Sequence, residues 1–507
     1  QEYAVASALV PAISLEECNA LINKLIAPHN QVITIEGVEK QGLSYPSSDQ
    51  LLQIANREKD TVMEAYVDNS SSEPILAAIP KPGKIVKEKS FKAAGVKQWT
   101  LSNGVRVFSK KTDFKNDEIV FLATSPGGYS KLPVGDMNAA KYLYWYITES
   151  GLGDFDAAAL DKALAGKIVD VAPTVNLYDE TLDGSCSPAD LETMFQLIYQ
   201  NAMAPRWNQT SLEANIFRVK GLLEDRLLNP EMAFYDSLQI LANQQNPYNN
   251  STKIKDLDNL TLDQMRRTFE NRFADFSDFT FTFVGNFDEA RLREYAATYL
   301  ATLPSSGRNE KPTDVGMRPN TGLKTYTFKK GGDNKSYVGL ITTGKAKLDP
   351  ASDIARNAML MVLNEKLREN IREERSGVYF VQTMSDIESF PSKSFTLLTI
   401  MSCSADRVDE LIGAITATMD SISAGQFDQK YIDSAKVTLQ KRYEESIRRN
   451  NYWMANIVNS LKEGSKPGEL LKYPELYAKI DRKSIVKSAR QHLLHKDNLI
   501  KLIMLPE

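Results

Sequence analysis

Ser185-Cys186-Ser187-Pro188-Ala189-Asp190-Leu191 runs into Met194-Phe195 and Leu197-Ile198, and Ser402-Cys403-Ser404-Ala405-Asp406-Arg407-Val408 runs into Leu411-Ile412 and Ala414-Ile415. Both stretches follow a strand-like run and open a helix-spaced one, at an offset of 217 residues (402 minus 185). Further on, Gln209-Thr210-Ser211-Leu212 before a charged helix corresponds to Gln426-Phe427-Asp428-Gln429 before another. Solenoid repeats have periods of roughly 20–50 residues, so a period of about two hundred indicates paired whole domains. The reading is an α/β chain made of two similar bodies, one after the other.

A second repeat lies outside the first. Ser14, Thr261 and Asp481 each stand where a side chain caps a helix by accepting an orphan backbone N–H. Each helix is followed by a strand pattern: Gln31-Val32-Ile33-Thr34-Ile35, Phe279-Thr280-Phe281-Thr282-Phe283, and Leu499-Ile500-Lys501-Leu502-Ile503. Thr261 minus Ser14 and Phe279 minus Val32 give the same offset, 247. Three closing units with only two bodies before them predict that the chain is the back portion of a longer protein. Residues 1–40 are then a helix-strand remnant of an upstream domain, 41–95 a linker with one helix, 96–305 the first body and 306–507 the second.

Composition fits folded bodies. Of 507 residues, 42% are hydrophobic and 25% charged, which is ordinary for globular chains. A formal net charge of −4 lacks the basic face that nucleic acid requires. No apolar run approaches the roughly 20 residues of a membrane span. Cys18, Cys186 and Cys403 are too few and too dispersed for a disulfide framework or zinc knuckle. Cys186 and Cys403, at matched positions, read as small buried residues at strand ends.

The linker carries Leu51, Leu52, Ile54, Ala55, Val62 and Tyr66 at helical spacing, then the breakers Asn69-Ser70-Ser71-Ser72-Glu73-Pro74. The first body opens with Trp99 to Val107 around a Ser102-Asn103-Gly104 turn. In the second, Leu360 to Ile371 reads as a helix broken at Ser376-Gly377. Val378-Tyr379-Phe380-Val381 then starts a strand paired with Phe395 to Ile400.

Leu101-Ser102-Asn103-Gly104-Val105-Arg106-Val107, Ile119 to Gly128, and Ile371-Arg372-Glu373-Glu374-Arg375-Ser376-Gly377-Val378-Tyr379 resemble the pitrilysin (insulinase) family of zinc metallopeptidases. The resemblance covers nearly the whole chain. It implies pitrilysin-like domains of α+β sandwich type, each a mostly antiparallel sheet covered by helices. It also implies that this chain is the C-terminal half of a two-half clamshell that closes on a peptide, its two bodies being the third and fourth domains. The family's inverted motif, His-x-x-Glu-His, holds zinc between two imidazoles one helical turn apart and uses the carboxylate as base. That motif is absent here. His29 has no such context, His492-Leu493-Leu494-His495 lacks the Glu and the spacing, and the helix Asn138 to Trp145 carries no histidine. His492 and His495 read as solvent-side or edge residues rather than ligands. Zinc is therefore expected in the parent protein, on the missing half, and not in this chain.

The resemblance assigns Arg372 and Tyr379 to substrate binding and transition-state support, reaching across the clamshell to the bound peptide. An Arg fork and a phenol are donors suited to a peptide carbonyl or its oxyanion. Residue types alone favour a structural reading, in which Arg372 pairs with Glu369 at i−3 and Tyr379 is a core tyrosine. Gly127-Gly128 reads as a strand-to-helix turn, since no Gly-Lys-Ser or Gly-Lys-Thr follows to make a phosphate cradle.

Two functions follow. In one the chain is the substrate-holding half of a zinc endopeptidase, with peptide or unfolded protein as substrate and the N-terminal half as partner in cis. In the other it belongs to a non-catalytic peptide-binding or scaffolding subunit of the same family. The bacterial members imply the periplasm or cell envelope.

Overall fold

The computed structural model describes residues 2–25, 30, 32–37, 42–57, 74–375, 378–493 and 497–507. The chain divides into two units, Gln1–Asn69 and Ser70–Glu507. In the first, the Leu15–Leu25 helix is capped as expected: the Glu17 N–H donates to Ser14 Oγ at 3.2 Å and the Ser14 N–H to Glu17 Oε2 at 2.9 Å. The strand expected at Gln31 to Ile35 does not form. Gln31 lies outside the described residues, and Val32 to Gly37 belong to no strand, with Val32 89% exposed. A strand exists only through a ladder partner, and no strand occurs among the described residues of this unit. The linker helix spans Ser48–Arg57, while Val62, Tyr66 and Asn69 to Glu73 lie outside the described residues. No single helix among the described residues is long and apolar enough to cross a membrane; Glu2–Ala12 and Leu15–Ile22 reach that length only jointly, across a 98° bend.

The second unit contains the duplication. Its first sheet is built from β1 (Ile85–Phe91), β2 (Val96–Leu101), β3 (Arg106–Lys111), β4 (Ile119–Pro126), β5 (Val169–Val175), β6 (Asp179–Cys186) and β7 (Thr280–Gly285), in the order β1-β2-β3-β7-β4-β6-β5. The second comprises β8 (Gly322–Lys329), β9 (Ser336–Lys345), β10 (Val378–Glu388), β11 (Ser394–Cys403) and β12 (Asn498–Leu505). Its order, read from the other edge, is β8-β12-β9-β11-β10. Laid side by side, β3-β7-β4-β6-β5 and β8-β12-β9-β11-β10 are the same sheet. Each has a single parallel pair, β3 with β7 and β8 with β12, and is otherwise antiparallel. β1, from the stretch read as linker, adds to the first sheet by pairing with β2.

Helices cover one face of each sheet. In the first body Leu143, Met194, Phe195 and Phe269 pack on Phe121, Phe281 and Phe283. In the second Val362, Leu363, Leu411 and Ile485 pack on Val338, Leu340 and Leu397. Thr261 and Asp481 cap the closing helices with reciprocal side-chain bonds, as their sequence predicts.

The opposite faces are covered by exchange. The Pro230–Ala242 helix of the first body sets Phe234, Leu238 and Leu241 on Ile341, Ile400, Ile500 and Leu502 of the second sheet. The Asn450–Lys462 helix of the second sets Trp453, Met454 and Ile457 on Val96, Phe108 and Val284 of the first. Gly339 in β9 permits the close approach, since a Cβ there would lie 2.4 Å from Leu238 Cδ2. Both faces being covered, β7 and most of β9 are buried throughout rather than alternating. Each large apolar side chain so buried contributes roughly 1.5–3 kcal/mol, which fastens the two bodies together.

Candidate functional site

The site grows from one helix and the strand that follows it. Asp349 accepts from the Ser352 N–H at 3.0 Å and Pro350 occupies the first turn, so the helix starts at Pro350, ten residues before the expected Leu360. Ile354, Ala358, Val362, Leu363 and Leu367 form its buried face. After Leu367 the helix widens into a π-turn, Arg368–Glu373, where the Glu374 N–H reaches back to the Glu369 carbonyl at 3.1 Å. Such turns are rare and concentrate at functional sites. Ile371 is fully buried, and Arg372 beside it is exposed. Ser376 and Gly377, read as the helix breaker, lie outside the described residues.

β10 then pairs with β11 as expected, with one irregularity. Val378 opposes Cys403 and Phe380 opposes Ser402, so Tyr379 has no partner of its own and forms a bulge. Bulges re-aim side chains and are frequent beside active sites. Tyr379 is 66% exposed, and so is no core tyrosine. Asn364 ties helix to strand: its Nδ2 donates to the Thr383 carbonyl at 2.8 Å and its Oδ1 accepts from the Thr383 N–H at 2.7 Å.

Arg372 does not pair with Glu369. That carboxylate accepts from Lys366 Nζ at 3.1 Å and from the Tyr431 hydroxyl at 2.5 Å, and these hold it below the usual carboxylate range, the Tyr431 bond foremost. Arg368 pairs with Glu365 and Glu373, and Arg375 with Glu410. Of the four cations between 366 and 375, Arg372 alone has no ion pair among the described residues. Two exposed residues that carry donor groups, Arg372 in the π-turn and Tyr379 in β10, therefore stand seven residues apart in the chain. Nothing in hydrophobic periodicity announces the π-turn, the bulge or the role of Asn364, because each depends on tertiary packing.

Zinc finds no fit in the described part of this chain, where no three His, Cys, Asp or Glu side chains converge. His29 and His495 lie outside the described residues. His492 corrects the solvent-side reading: it is 5% exposed, its Nδ1 donates to the Ser488 carbonyl at 2.7 Å, and its ring meets Phe395 edge-on at 4.5 Å. Arg490 and Gln491 take the outward positions of that turn, and the last helical residue is carried inward against β11. Cys186 and Cys403 end β6 and β11 and are buried; burial pushes their thiols up to about 12 and about 11.

Gly127-Gly128 turns the chain as expected, over a buried charge cluster that the sequence did not reveal. The Gly128 N–H donates to Glu180 Oε2 at 2.8 Å, and a Cβ on Gly127 would meet Arg272 Nη1 at 2.4 Å. Glu180 lies 3.3 Å from Arg308 Nη2 and 3.8 Å from Arg272 Nη1. Burial, opposed by Arg272, the Gly128 N–H and Arg308, raises Glu180 to about 7. The folded state therefore keeps this proton above the pH at which the unfolded chain releases it. The stability Glu180 contributes is full below about 4.5 and falls as pH rises through about 7, by about 3 kcal/mol. Urea midpoints of the wild type are expected to decline across that window relative to Glu180→Gln; parallel pH profiles would refute this.

Residues 259–439 match the peptidase M16 inactive domain. The probable zinc protease PqqL of Escherichia coli (strain K12) is 22% identical over 439 residues, covering 84% of this chain and 46% of its own length. The crystal structure of the periplasmic protease PqqL from Escherichia coli superposes with a TM-score of 0.76 at 20% identity, over 91% of this chain and 51% of that one. A mutant of the ferredoxin protease FusC in complex with Arabidopsis ferredoxin gives 0.75 at 16% identity, over 92% and 51%. These structures show the fold, and this chain spans about half the length of the relatives it matches.

Proposed function

We propose that this chain, a pitrilysin-type (M16) chain with an inactive-type domain and no inverted zinc motif, is the substrate-holding C-terminal half of a zinc endopeptidase. The observation that carries the reading is that Arg372, exposed and without an ion pair among the described residues, precedes by seven residues the bulged, exposed Tyr379. Donors that are already ion-paired gain little from a ligand, whereas Arg372 has no ion pair among the described residues to break first.

Arg372 offers a planar fork of N–H donors and Tyr379 one O–H donor. Aimed at a peptide carbonyl, they hold the chain and stabilise the negative charge that develops on that oxygen during hydrolysis. Zinc bound on the other half would supply Lewis-acid polarisation and an activated water. Asn364 keeps helix and strand in one arrangement, so the two donors are preorganised. PqqL is described as periplasmic and as a zinc protease, which supports the same compartment and a peptide or unfolded-protein substrate here.

The test is zinc content and cleavage of an unstructured peptide by this chain alone and by the full-length protein. A zinc-free, inert chain with a zinc-bound, cleaving full-length protein is expected. A full-length protein that is also zinc-free and inert would make this half of a peptide-binding or scaffolding subunit instead.

A further inference from the structure

Tyr379 stands on a bulge, two-thirds exposed, where a phenol has few neighbours to hold its ring. Among the described residues, Lys335 Nζ lies 5.5 Å from the Tyr379 ring centroid, within the reach of a cation–π contact. Lys335 is held in turn. Its Nζ is 4.7 Å from the Tyr337 ring centroid, and the Tyr337 hydroxyl, on a side chain only 5% exposed, donates to Glu231 Oε2 at 3.2 Å. Glu231 sits in the first turn of Pro230–Ala242, the helix that the first body lends to the second sheet. The Lys335 ammonium is kept above the usual lysine range, chiefly by the Tyr337 hydroxyl, with Glu231 and Tyr379 adding to it. The cation is therefore charged at neutral pH and fixed between two rings, one buried and one exposed.

We infer that Lys335 is a positioning residue for substrate binding, holding the Tyr379 ring in its binding orientation from an anchor on the first body. The inference rests on the substrate-holding role proposed for Tyr379. It also gives the exchanged helix a use beyond packing, since Glu231 is carried to this place by the burial of Phe234, Leu238 and Leu241.

Affinity of the zinc-stripped full-length protein for a fluorescein-labelled unstructured peptide, read by anisotropy, tests it without requiring turnover. Lys335→Met is expected to weaken binding about two- to fivefold, the size of an exposed cation–π contact, while Lys335→Arg restores it. In a Tyr379→Ala background Lys335→Met should have no further effect, because the two act as a unit. An undiminished effect of Lys335→Met in that background overturns the inference, as does an Arg variant as weak as the Met one. A silent Lys335→Met alongside a weakened Tyr379→Ala overturns the inference and leaves the role of Tyr379 standing. A silent Tyr379→Ala overturns that role itself, and the inference with it.

Discussion

Arg372→Ala combined with Tyr379→Phe is expected to lower kcat/KM of the full-length protein toward an unstructured peptide by about 10²–10³-fold, the range for losing an oxyanion donor. The same variant should unfold at the wild-type temperature. Arg372 makes no ion pair among the described residues and Tyr379 lies outside the sheet ladder, so their removal exposes no buried partner. Arg368→Ala, one turn earlier, is the control. It breaks pairs with Glu365 and Glu373 that are close to half exposed, and such pairs contribute little, so its kcat/KM should stay near wild type. Equal losses in the two variants would mean that the charge of this segment matters and the geometry of Arg372 does not. Unchanged turnover in the double variant would remove both residues from the mechanism.

How far the sequence reaches this site is uneven, and the reasons are physical. Duplication was readable because it preserves local signals in register: Thr261 and Asp481 cap equivalent helices, and Cys186 and Cys403 end equivalent strands. Caps and strand ends depend on a few neighbouring residues, so they survive in isolation. The strand expected at Gln31 to Ile35 fails over its described residues for the opposite reason, since β structure needs a partner and apolar alternation alone supplies none. The exchange of Pro230–Ala242 and Asn450–Lys462 was invisible: an amphipathic helix shows which face it buries, never on which sheet. A family motif marks Arg372 and Tyr379 against what their residue types suggest. Their surroundings, a π-turn, a bulge and the Asn364 tie, follow from packing that no periodicity records.

The largest stability loss is expected at Arg272, where the two bodies serve as each other's control. Arg272 is 1% exposed; its Nη2 lies 2.6 Å from Glu310 Oε2 and its Nη1 donates to the Gly128 carbonyl at 3.5 Å. Arg272→Ala leaves Glu180, 0% exposed, with Arg308 as its only ion-pair partner among the described residues, and opens a cavity beneath Gly127. Above about pH 7, where Glu180 is ionised, breaking a buried pair from one side costs about 3–5 kcal/mol, more than the pair itself contributes. Replacing both members is a different matter, and the second body shows why. The position equivalent to Arg272 is His492, at the same offset of 220 that relates Thr261 to Asp481. Opposite Ser125 in the first sheet stands Glu180, and opposite the equivalent Thr342 in the second stands Leu397. The same sheet therefore closes over an apolar residue and a buried imidazole ring in one body and over an ion pair in the other. Arg272→Met with Glu180→Leu should accordingly recover most of the loss, to within about 1–2 kcal/mol of wild type, and flatten the pH dependence assigned to Glu180. Urea unfolding followed by tryptophan fluorescence distinguishes the outcomes. A double variant as unstable as Arg272→Ala would show that Glu310 and Arg308, which also pairs with Asp278 at 3.1 Å, need the pair, and that the cluster is one indivisible network rather than a replaceable couple.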